Sequence, residues 1–574
     1  MSQIKTLKFN DGVSTKLRQM KYGTNWPVVY IINNDKEVYI GETIDASIRA
    51  NQHLANKSRR KLNTISIITD ETFNKSAILD LEAFLIKYMS ADKKFVLQNS
   101  NGGLKNHDYY QKEMYERKFK EIWANLKSKG LVNNDLIIIE NSELFKYSPY
   151  KSLSTDQYMI VNDILGVLAE DINKKQQSTF MVHGAAGTGK TILGIYLMKL
   201  LTEAKEDRNI IEEDEIEGNL KDIVKIHDAI GELKIGLVIP MDNLRTTIKR
   251  VFRNIKGLNS KMVMSPHDVG KSDEKFDLLI VDEAHRLRRR KNLTQYKTFD
   301  ENNRRLGLDK NGTELDWILL KSNCQIFFYD ERQSIKPTDV RKEDFDKLSL
   351  RKNFHPYYLE TQLRCIRGGN EYVDYIKTVF SLNPPIKKIN FKNYDLKIFD
   401  DVNEMIEEIK FKDKEYGLCR NIAGYAWPWR SKGKKLPMHL TQKEIKKIVD
   451  SDIYDLEIEG YKYIWNTKPK DWINSSNSIN EIGSIHTTQG FDLNYTGLII
   501  GNDLQYDEEK QKIVVNRSNY YDTKGKADTS DEELLEYLLN IYSTMCTRGM
   551  LGTYIYVCDE NLRKYLKKYI DMYK

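Results

Sequence analysis

The stretch Phe180–Thr191, FMVHGAAGTGKT, decides the fold of this chain. It reads as a short apolar strand, a glycine-rich loop and the start of a helix, because apolar residues continue at helical spacing after it. From Gly184 onward the loop fits the phosphate-binding pattern G-x-x-x-x-G-K-[ST]. Glycines let backbone N–H groups converge on phosphates, and the helix N-terminus adds the positive end of its dipole. The alternative, an ordinary glycine-rich turn, is disfavoured by the flanking strand and helix.

Roles in nucleotide binding follow from this pattern. We expect Lys190 to reach the β- and γ-phosphates of ATP and the Thr191 hydroxyl to bind Mg²⁺. Upstream, Gln157 precedes an apolar helix, and its amide offers a donor and an acceptor to the adenine edge, although such a glutamine is more often a surface residue. The loop residues expected to line the phosphates are Gly184, Gly187, Thr188 and Gly189.

A second apolar strand, residues 276–281, ends in Asp282 and Glu283. In enzymes with this loop, an aspartate at a strand end supplies a Mg²⁺ ligand, and the next glutamate can polarise the attacking water. A third strand ends in Asp330, and Gln333 just after it is expected to sense the γ-phosphate. Repeated strand–helix units of this kind predict a parallel, doubly wound sheet.

The composition limits the class of protein. The chain has 574 residues, which predicts about three or four domains. With 40% hydrophobic and 30% charged residues it is typical of a soluble globular protein, and no apolar run approaches the ~20 residues that span a bilayer. Five cysteines without C-x-x-C spacing indicate a reducing compartment rather than disulfides or zinc. We therefore expect a cytoplasmic protein with no membrane partner. The net charge of +7 permits a nucleic-acid partner without identifying one.

The N-terminal region begins with two β-rich runs. Residues 28–41 surround a polar turn at 33–36, and this turn chemistry predicts a hairpin. The segment 43–54 reads as a helix on which Arg49 and His53, four positions apart, share one face.

A second predicted helix, residues 76–89, has one charged residue in an unusual place. Glu82 has only apolar neighbours three and four positions away along this helix. A carboxylate on such a face is costly unless it is paired or binds a metal. The sequence therefore marks Glu82 as a candidate metal ligand.

These residues resemble the GIY-YIG nuclease family. The triplet at 28–30, Val-Val-Tyr, stands where that family has GIY, and the triplet at 39–41 is the YIG element itself. Arg49, Glu82 and Asn99 fall at the family's later Arg, Glu and Asn positions.

The resemblance implies a role for each residue. Glu82 would hold a single Mg²⁺ or Mn²⁺, Arg49 would stabilise phosphate charge, and Tyr30 or Tyr39 would position or deprotonate the attacking water. The chemistry agrees, since phosphodiester hydrolysis needs a metal ligand, a cation at the developing charge and a proton acceptor.

The motifs between about residues 150 and 560 resemble, in their order, those of superfamily 1 helicases. Within that superfamily the likeness is to Schlafen-type helicase-like ATPases, because of Leu-Cys-Arg at 418–420, Ala-Gly-Tyr-Ala-Trp at 423–427 and the segment 552–559. The resemblance implies two RecA-like lobes with ATP in their cleft, and arginine fingers at Arg364 and Arg548. The motifs are Gln157, the loop at 184–191, Asp-Glu-Ala-His at 282–285, Asp-x-x-Gln at 330–333, Gln-Leu-Arg at 362–364, Thr-Thr-Gln-Gly at 487–490 and Thr-Arg-Gly at 547–549.

We therefore expect an α/β chain, with a small α+β GIY-YIG nuclease domain followed by two RecA-like parallel-sheet lobes. The connector is expected to be helical with one short strand at 136–140, and residues 431–480 to be polar and irregular. The expected domains are 1–105 for the nuclease, 106–147 for the connector, 148–345 for the first lobe, and 346–574 for the second lobe with an insertion around 425–480.

The expected function is ATP-dependent processing of DNA or RNA, in which the first domain cuts and the lobes form a motor, in defence or genome maintenance. The alternative is an ATP-driven switch that binds nucleic acid without unwinding it and uses an inactive nuclease domain for docking. Val28 in place of the family's glycine, and only eight residues between the triplets, favour the switch. The intact tyrosines, arginine, glutamate and asparagine favour the enzyme.

Overall fold

The computed structural model divides the chain into two compact units. One comprises Met1–Gln177, Thr191–Leu237 and Thr247–Val263, and the other comprises Ser178–Lys190, Val238–Thr246 and Met264–Lys574. The predicted domain boundaries stay predictions. The structure describes all residues except 1, 100–108, 152, 186, 203–218, 294, 334–336, 362, 364–367, 382–383, 385–386, 432, 434–440, 468–471, 489–490, 524 and 528, and the side chains of Asn219, Leu220, Arg332, Gln442 and His486.

The N-terminal region contains a mixed five-stranded sheet in the order β1-β4-β2-β3-β5. The predicted hairpin is present as β2 and β3, and the Asn34 side chain accepts the backbone N–H groups of Lys36 and Glu37 in its turn. Neighbouring strands are antiparallel except for the parallel pair β3 and β5. The strands are β1 (Gln3–Lys8), β2 (Val28–Asn33), β3 (Glu37–Thr43), β4 (Thr64–Thr69) and β5 (Val96–Leu97).

Helices cover this sheet because its strands direct apolar side chains to both faces. Val28, Tyr30 and Ile32 pack in a core with residues of α2, and α3 buries apolar residues that include Leu81 and Leu85. The first helices are α1 (Val13–Arg18), α2 (Ala46–Ala55), α3 (Lys75–Asp92), α4 (Lys112–Ser128), α5 (Leu136–Glu140), α6 (Glu143–Lys146) and α7 (Thr155–Asn173).

The second sheet contains the phosphate-binding loop. Its six strands lie in the order β11-β6-β10-β9-β7-β8, and β10 is parallel to both β6 and β9. The strands are β6 (Ser178–Gly184), β7 (Ile235–Val238), β8 (Val263–Met264), β9 (Phe276–Val281), β10 (Ser322–Tyr329) and β11 (Phe354–Leu359). The helices between them are α8 (Lys190–Thr202), α9 (Asn219–Ile230), α10 (Asp242–Phe252), α11 (Pro266–Lys271), α12 (Tyr296–Arg305), α13 (Glu314–Lys321) and α14 (Lys342–Asp346).

The third sheet is also parallel in its described pairings, with the order β16-β13-β17-β20-β12-β21. Leu498 and Ile500 join one apolar core and Ile499 joins another, so both faces of the sheet are covered. The strands, with two hairpins, are β12 (Asp395–Phe399), β13 (Arg420–Ala423), β14 (Leu456–Ile458), β15 (Tyr461–Tyr463), β16 (Ile482–Ser484), β17 (Leu493–Ile500), β18 (Leu504–Asp507), β19 (Lys512–Val515), β20 (Gly549–Val557) and β21 (Asp571–Met572). The helices are α15 (Gly369–Val379), α16 (Val402–Tyr416), α17 (Gln442–Asp450), α18 (Ile485–Thr488), α19 (Asp531–Cys546) and α20 (Glu560–Leu566).

These sheets confirm the predicted fold class of a small mixed-sheet domain followed by parallel-sheet lobes. Two local expectations were wrong. Residues 136–140 form the helix α5 rather than a strand, because Ile139 alone is buried and the segment has no described strand partner. Within 431–480, a capping box between Thr441 and Glu444 starts α17, and a hairpin follows it.

No helix in the described parts of the chain is long and apolar enough to cross a membrane. The cytoplasmic location stays a prediction.

Candidate functional site

The first candidate site lies on the tyrosine hairpin. Tyr30 on β2 pairs with Gly41 on β3 across the sheet, and Tyr39 lies two residues before that glycine on the same face. The helix α2 supplies Arg49 and His53 to this face. The structure therefore brings the two tyrosines, the arginine and the histidine together, and the predicted shared face of Arg49 and His53 on α2 is the face that meets the tyrosines.

Tyr30 Oη is the centre of this cluster. His53 Nε2 lies 2.7 Å from it, and Arg49 Nε donates a hydrogen bond to it at 3.2 Å. Tyr30 and His53 are almost completely buried, with 1% exposure each. Burial raises the pKa of Tyr30 well above its usual value of 10, and the nearby Tyr39 adds to this, while Arg49 opposes it.

His53 is a member of this site to which the sequence analysis assigned no catalytic role. Burial, together with the charges of Arg59 and Arg49, lowers the pKa of His53 well below 6.5, so the ring is neutral at physiological pH. The signal was present in the sequence, because His53 is four residues after Arg49.

Arg59 is a second omission. Its Nη1 lies 2.6 Å from His53 Nδ1, and its guanidinium carbon lies 3.8 Å from the centre of the Tyr39 ring. This arginine belongs to a short 3₁₀ turn, Arg59–Lys61, that follows α2. None of the sequence patterns marks it.

Glu82 and Asn99 occupy different parts of the same domain. Glu82 is buried in α3, and its charge adds to the burial that raises the pKa of Tyr30. Asn99 bonds to both backbone groups of Ile40, accepting from its N–H at 3.0 Å and donating to its carbonyl at 2.8 Å. The asparagine thus holds the YIG strand in place through its peptide group.

The chain supplies few ligands for a metal near Glu82. Among the described residues, no three histidine, cysteine or carboxylate side chains form a metal-binding group. A single buried carboxylate fits Mg²⁺, which usually keeps several waters and takes one or two protein carboxylates together with substrate phosphate.

The second candidate site is at the end of β6. Gly187 and Gly189 adopt the left-handed φ values of 90° and 78° that let the loop turn around a phosphate. A Cβ built on Gly184 would lie 2.5 Å from Thr188 Oγ1, so a larger residue there would have to displace the Thr188 hydroxyl. Lys190 Nζ donates to the carbonyls of Gly184 at 2.5 Å and Ala185 at 2.8 Å. Thr191 follows it in the first turn of α8.

The ends of β9 and β10 bring acidic groups to this loop. Asp330 Oδ2 lies 3.9 Å from Lys190 Nζ and accepts a hydrogen bond from Gln333 Nε2 at 2.7 Å. Asp282 directly follows β9 and is fully buried. Because parallel strand ends meet at one sheet edge, the residues predicted to bind Mg²⁺ and the γ-phosphate share that edge.

Glu283, the predicted water-polarising residue, has a left-handed φ of 52° and lies 2.9 Å from His285 Nε2 through its Oε2. Burial alone would raise the pKa of Glu283. The neighbouring His285, Lys190 and Arg286 outweigh burial and hold the pKa below its usual range, so Glu283 is a carboxylate at neutral pH.

The other predicted nucleotide-site residues have mixed outcomes. Gln157 is buried, and its Oε1 accepts the Ser154 N–H at 3.1 Å in a capping box at the start of α7. Arg548, two residues after α19, is fully buried. Arg364 lies outside the described residues, but Leu363 before it donates its N–H to the Gly187 carbonyl at 2.8 Å. The motif residues Gln362, Gln489 and Gly490 are outside them too. The roles of all these side chains stay predictions.

The fold and these sites define a P-loop protein with parallel-sheet lobes that carries an additional small domain built on a tyrosine hairpin. Residues 177–559 match the model of the Schlafen group 3, DNA/RNA helicase domain, and the chain belongs to this family. Residues 27–95 match the model of the GIY-YIG catalytic domain.

The chain is similar to one protein in sequence and to two helicases in structure. A protein of Saccharomyces cerevisiae described as uncharacterized is 26% identical over 454 residues, which cover 72% of this chain and 90% of that protein. The helicase nonstructural protein 10 of an arterivirus, solved with DNA, is 12% identical with a TM-score of 0.26, and the match covers 70% of this chain and 65% of that one. The Pif1 helicase from Bacteroides, solved with ADP-AlF3 and single-stranded DNA, is 13% identical with a TM-score of 0.25, covering 71% and 92%.

Proposed function

We propose that this chain is an ATP-dependent enzyme that cleaves DNA or RNA with its N-terminal domain and drives the reaction with a superfamily 1-type motor. The observation that carries this proposal is the hydrogen bonding of Tyr30 Oη, which is buried and lies within hydrogen-bond distance of both His53 Nε2 and Arg49 Nε. A domain used only for docking has no need to bury a tyrosine and a histidine and to direct an arginine at the same hydroxyl oxygen.

In the nuclease reaction, the side chains have separate tasks. Arg49 stabilises the negative charge that develops on the phosphate. Tyr30 accepts the proton of the attacking water, for which it must first lose its own proton. Glu82 would hold the Mg²⁺ or Mn²⁺, whose contribution is to polarise the phosphate and neutralise its charge.

In the motor, Lys190 and the loop glycines bind the phosphates of ATP, and Glu283 orients the water that attacks the γ-phosphate. Thr191 and Asp282 would hold Mg²⁺, and Gln333 with Asp330 would sense the γ-phosphate. We assign Gln157 to the adenine and Arg364 and Arg548 to the γ-phosphate, as the resemblance implies. Cutting coupled to a motor suits defence against foreign nucleic acid or genome maintenance, on the basis of architecture alone.

The test is cleavage of labelled duplex, forked and single-stranded DNA and RNA with Mg²⁺, with and without ATP. Glu82→Gln should abolish cutting. Glu71 is an exposed carboxylate of the same domain, so Glu71→Gln should still cut. Lys190→Ala should remove only the effect of ATP. If the wild-type protein cuts no substrate while nucleic acid stimulates its ATP hydrolysis, the nuclease proposal is wrong and the chain is an ATP-driven switch.

A further inference from the structure

The tyrosine cluster contains a contact that the proposed nuclease function does not use. Arg59 donates toward His53 Nδ1 with its Nη1 at 2.6 Å, and its guanidinium carbon lies over the Tyr39 ring, 3.8 Å from the ring centre. One side chain from the turn after α2 therefore contacts both the YIG strand and the histidine of α2. Its position is fixed from two directions.

The contact determines which nitrogen of His53 carries a proton. A guanidinium has only donors, so His53 Nδ1 must accept from Arg59. In a neutral imidazole the other nitrogen is then protonated. The ring is neutral because burial, with the charges of Arg59 and Arg49, disfavours its protonated form. His53 Nε2–H therefore donates to Tyr30 Oη across 2.7 Å.

The tautomer of His53 in turn sets the state of the Tyr30 hydroxyl. With N–H groups of His53 and Arg49 both directed at Oη, the oxygen accepts two hydrogen bonds, and its own proton points away from both donors. In the opposite tautomer, Nε2 would be an acceptor, and the Tyr30 proton would turn toward the histidine. In the first state the Tyr30 O–H can donate to a water molecule beside it, and in the second state that proton is directed at the histidine.

We propose that Arg59 is a positioning residue of the nuclease site, which holds His53 in its Nε2–H tautomer so that Tyr30 Oη receives two hydrogen bonds. This inference rests on the proposed nuclease function for its effect on rate, but not for its effect on the histidine. Arg59 acts through His53 and Tyr30 and has no need to touch the substrate.

The first experiment measures the tautomer in the full-length protein. Histidine is labelled with ¹⁵N, long-range ¹H–¹⁵N correlations are recorded near neutral pH, and the His53 signals are assigned as those lost in His53→Gln. We expect the wild-type ring to be protonated at Nε2 only. Arg59→Met should move it toward the Nδ1–H form. The matched control is Arg60→Met, since Arg60 is an exposed arginine in the same turn and its loss changes the net charge equally.

The second experiment measures cleavage by the same variants. Because general acid–base groups contribute about 10²- to 10⁴-fold, Arg59→Met should lower kcat about tenfold or more with little change in KM. Arg60→Met should leave kcat unchanged.

Several results would overturn the inference. An Nδ1–H ring in the wild-type protein refutes it even if Arg59→Met does not fold. An unchanged tautomer in Arg59→Met, or a changed tautomer with normal kcat, also refutes it. An increase in KM alone would instead assign Arg59 to phosphate binding. If the wild-type protein cuts nothing, the proposed nuclease function fails. The tautomer measurement then still shows whether Arg59 holds His53 in its Nε2–H form.

Discussion

Gly41 lies directly opposite Tyr30, and replacing it with alanine should disable the proposed nuclease site without unfolding the domain. A Cβ built on Gly41 would be 2.5 Å from Tyr30 Cζ and closer still to Oη. Carbon atoms in contact are normally about 3.5–4.0 Å apart, so the ring must move by about 1 Å. That movement breaks hydrogen bonds of 2.7 Å to His53 and 3.2 Å to Arg49, since bonds longer than about 3.5 Å are lost. A misplacement of about 1 Å costs on the order of 10²-fold in rate.

The assay is single-turnover cleavage with enzyme in excess over a labelled substrate, because it isolates the chemical step from product release. ATP hydrolysis by the same preparation reports on the fold of the rest of the chain and should stay unchanged. Gly166→Ala in α7 is the matched control, since its built Cβ has its nearest neighbour, Asp222 Oδ2, at 3.7 Å. Wild-type cleavage by Gly41→Ala would show that the placement of Tyr30 does not determine the rate.

Three further predictions concern other groups. Because burial holds the pKa of Tyr30 above 10, its phenolate fraction rises tenfold per pH unit, so log kcat for cleavage should rise with a slope of about 1 from pH 7 to 9; a flat profile would exclude Tyr30 as the proton acceptor. Lys190→Ala should reduce ATP hydrolysis by about 10²-fold or more, measured by phosphate release, whereas Lys174→Ala on the exposed end of α7 should not. Burial raises the pKa of Asp503 from 3.8 to about 7, so the folded state binds the proton more tightly and stability falls as pH rises between these values, by about 4 kcal/mol in all. Asp503→Asn should remove this fall in stability, which hydrogen exchange of the β17 amides measures as a function of pH. An unchanged pH dependence in the variant would contradict the prediction.

The sequence predicts those parts of the sites in which the chemistry requires particular residues at a fixed spacing. The phosphate-binding loop, the strand before Asp282 and the tyrosine hairpin could all be located because each needs particular residues at fixed intervals. The Ser-x-x-Glu pattern at 530–533 is another fixed interval, typical of a capping box, and the structure has both of its hydrogen bonds at the start of α19.

What the sequence could not supply depends on contacts between distant elements. Arg59 belongs to no motif, because its role arises from a turn that aims it at both His53 and Tyr39. The β-branched run at 136–140 suggests a strand locally. It is helical because one face contacts α3 instead of a neighbouring strand. Neither outcome is encoded within a short window of residues.

The helix α4 and the turn after it have a consequence for how the N-terminal domain can be transferred between proteins. Lys118 of α4 pairs with Asp70 at 2.8 Å, Asp92 of α3 accepts the N–H groups of Asn133 and Asn134, and Trp123 packs edge-on against Phe84. The tyrosine hairpin and its sheet therefore cannot be moved to another protein without these contacts. The transferable domain must extend through α4 and the following turn. A shorter segment would leave an aromatic face of α3 exposed to water and prone to self-association.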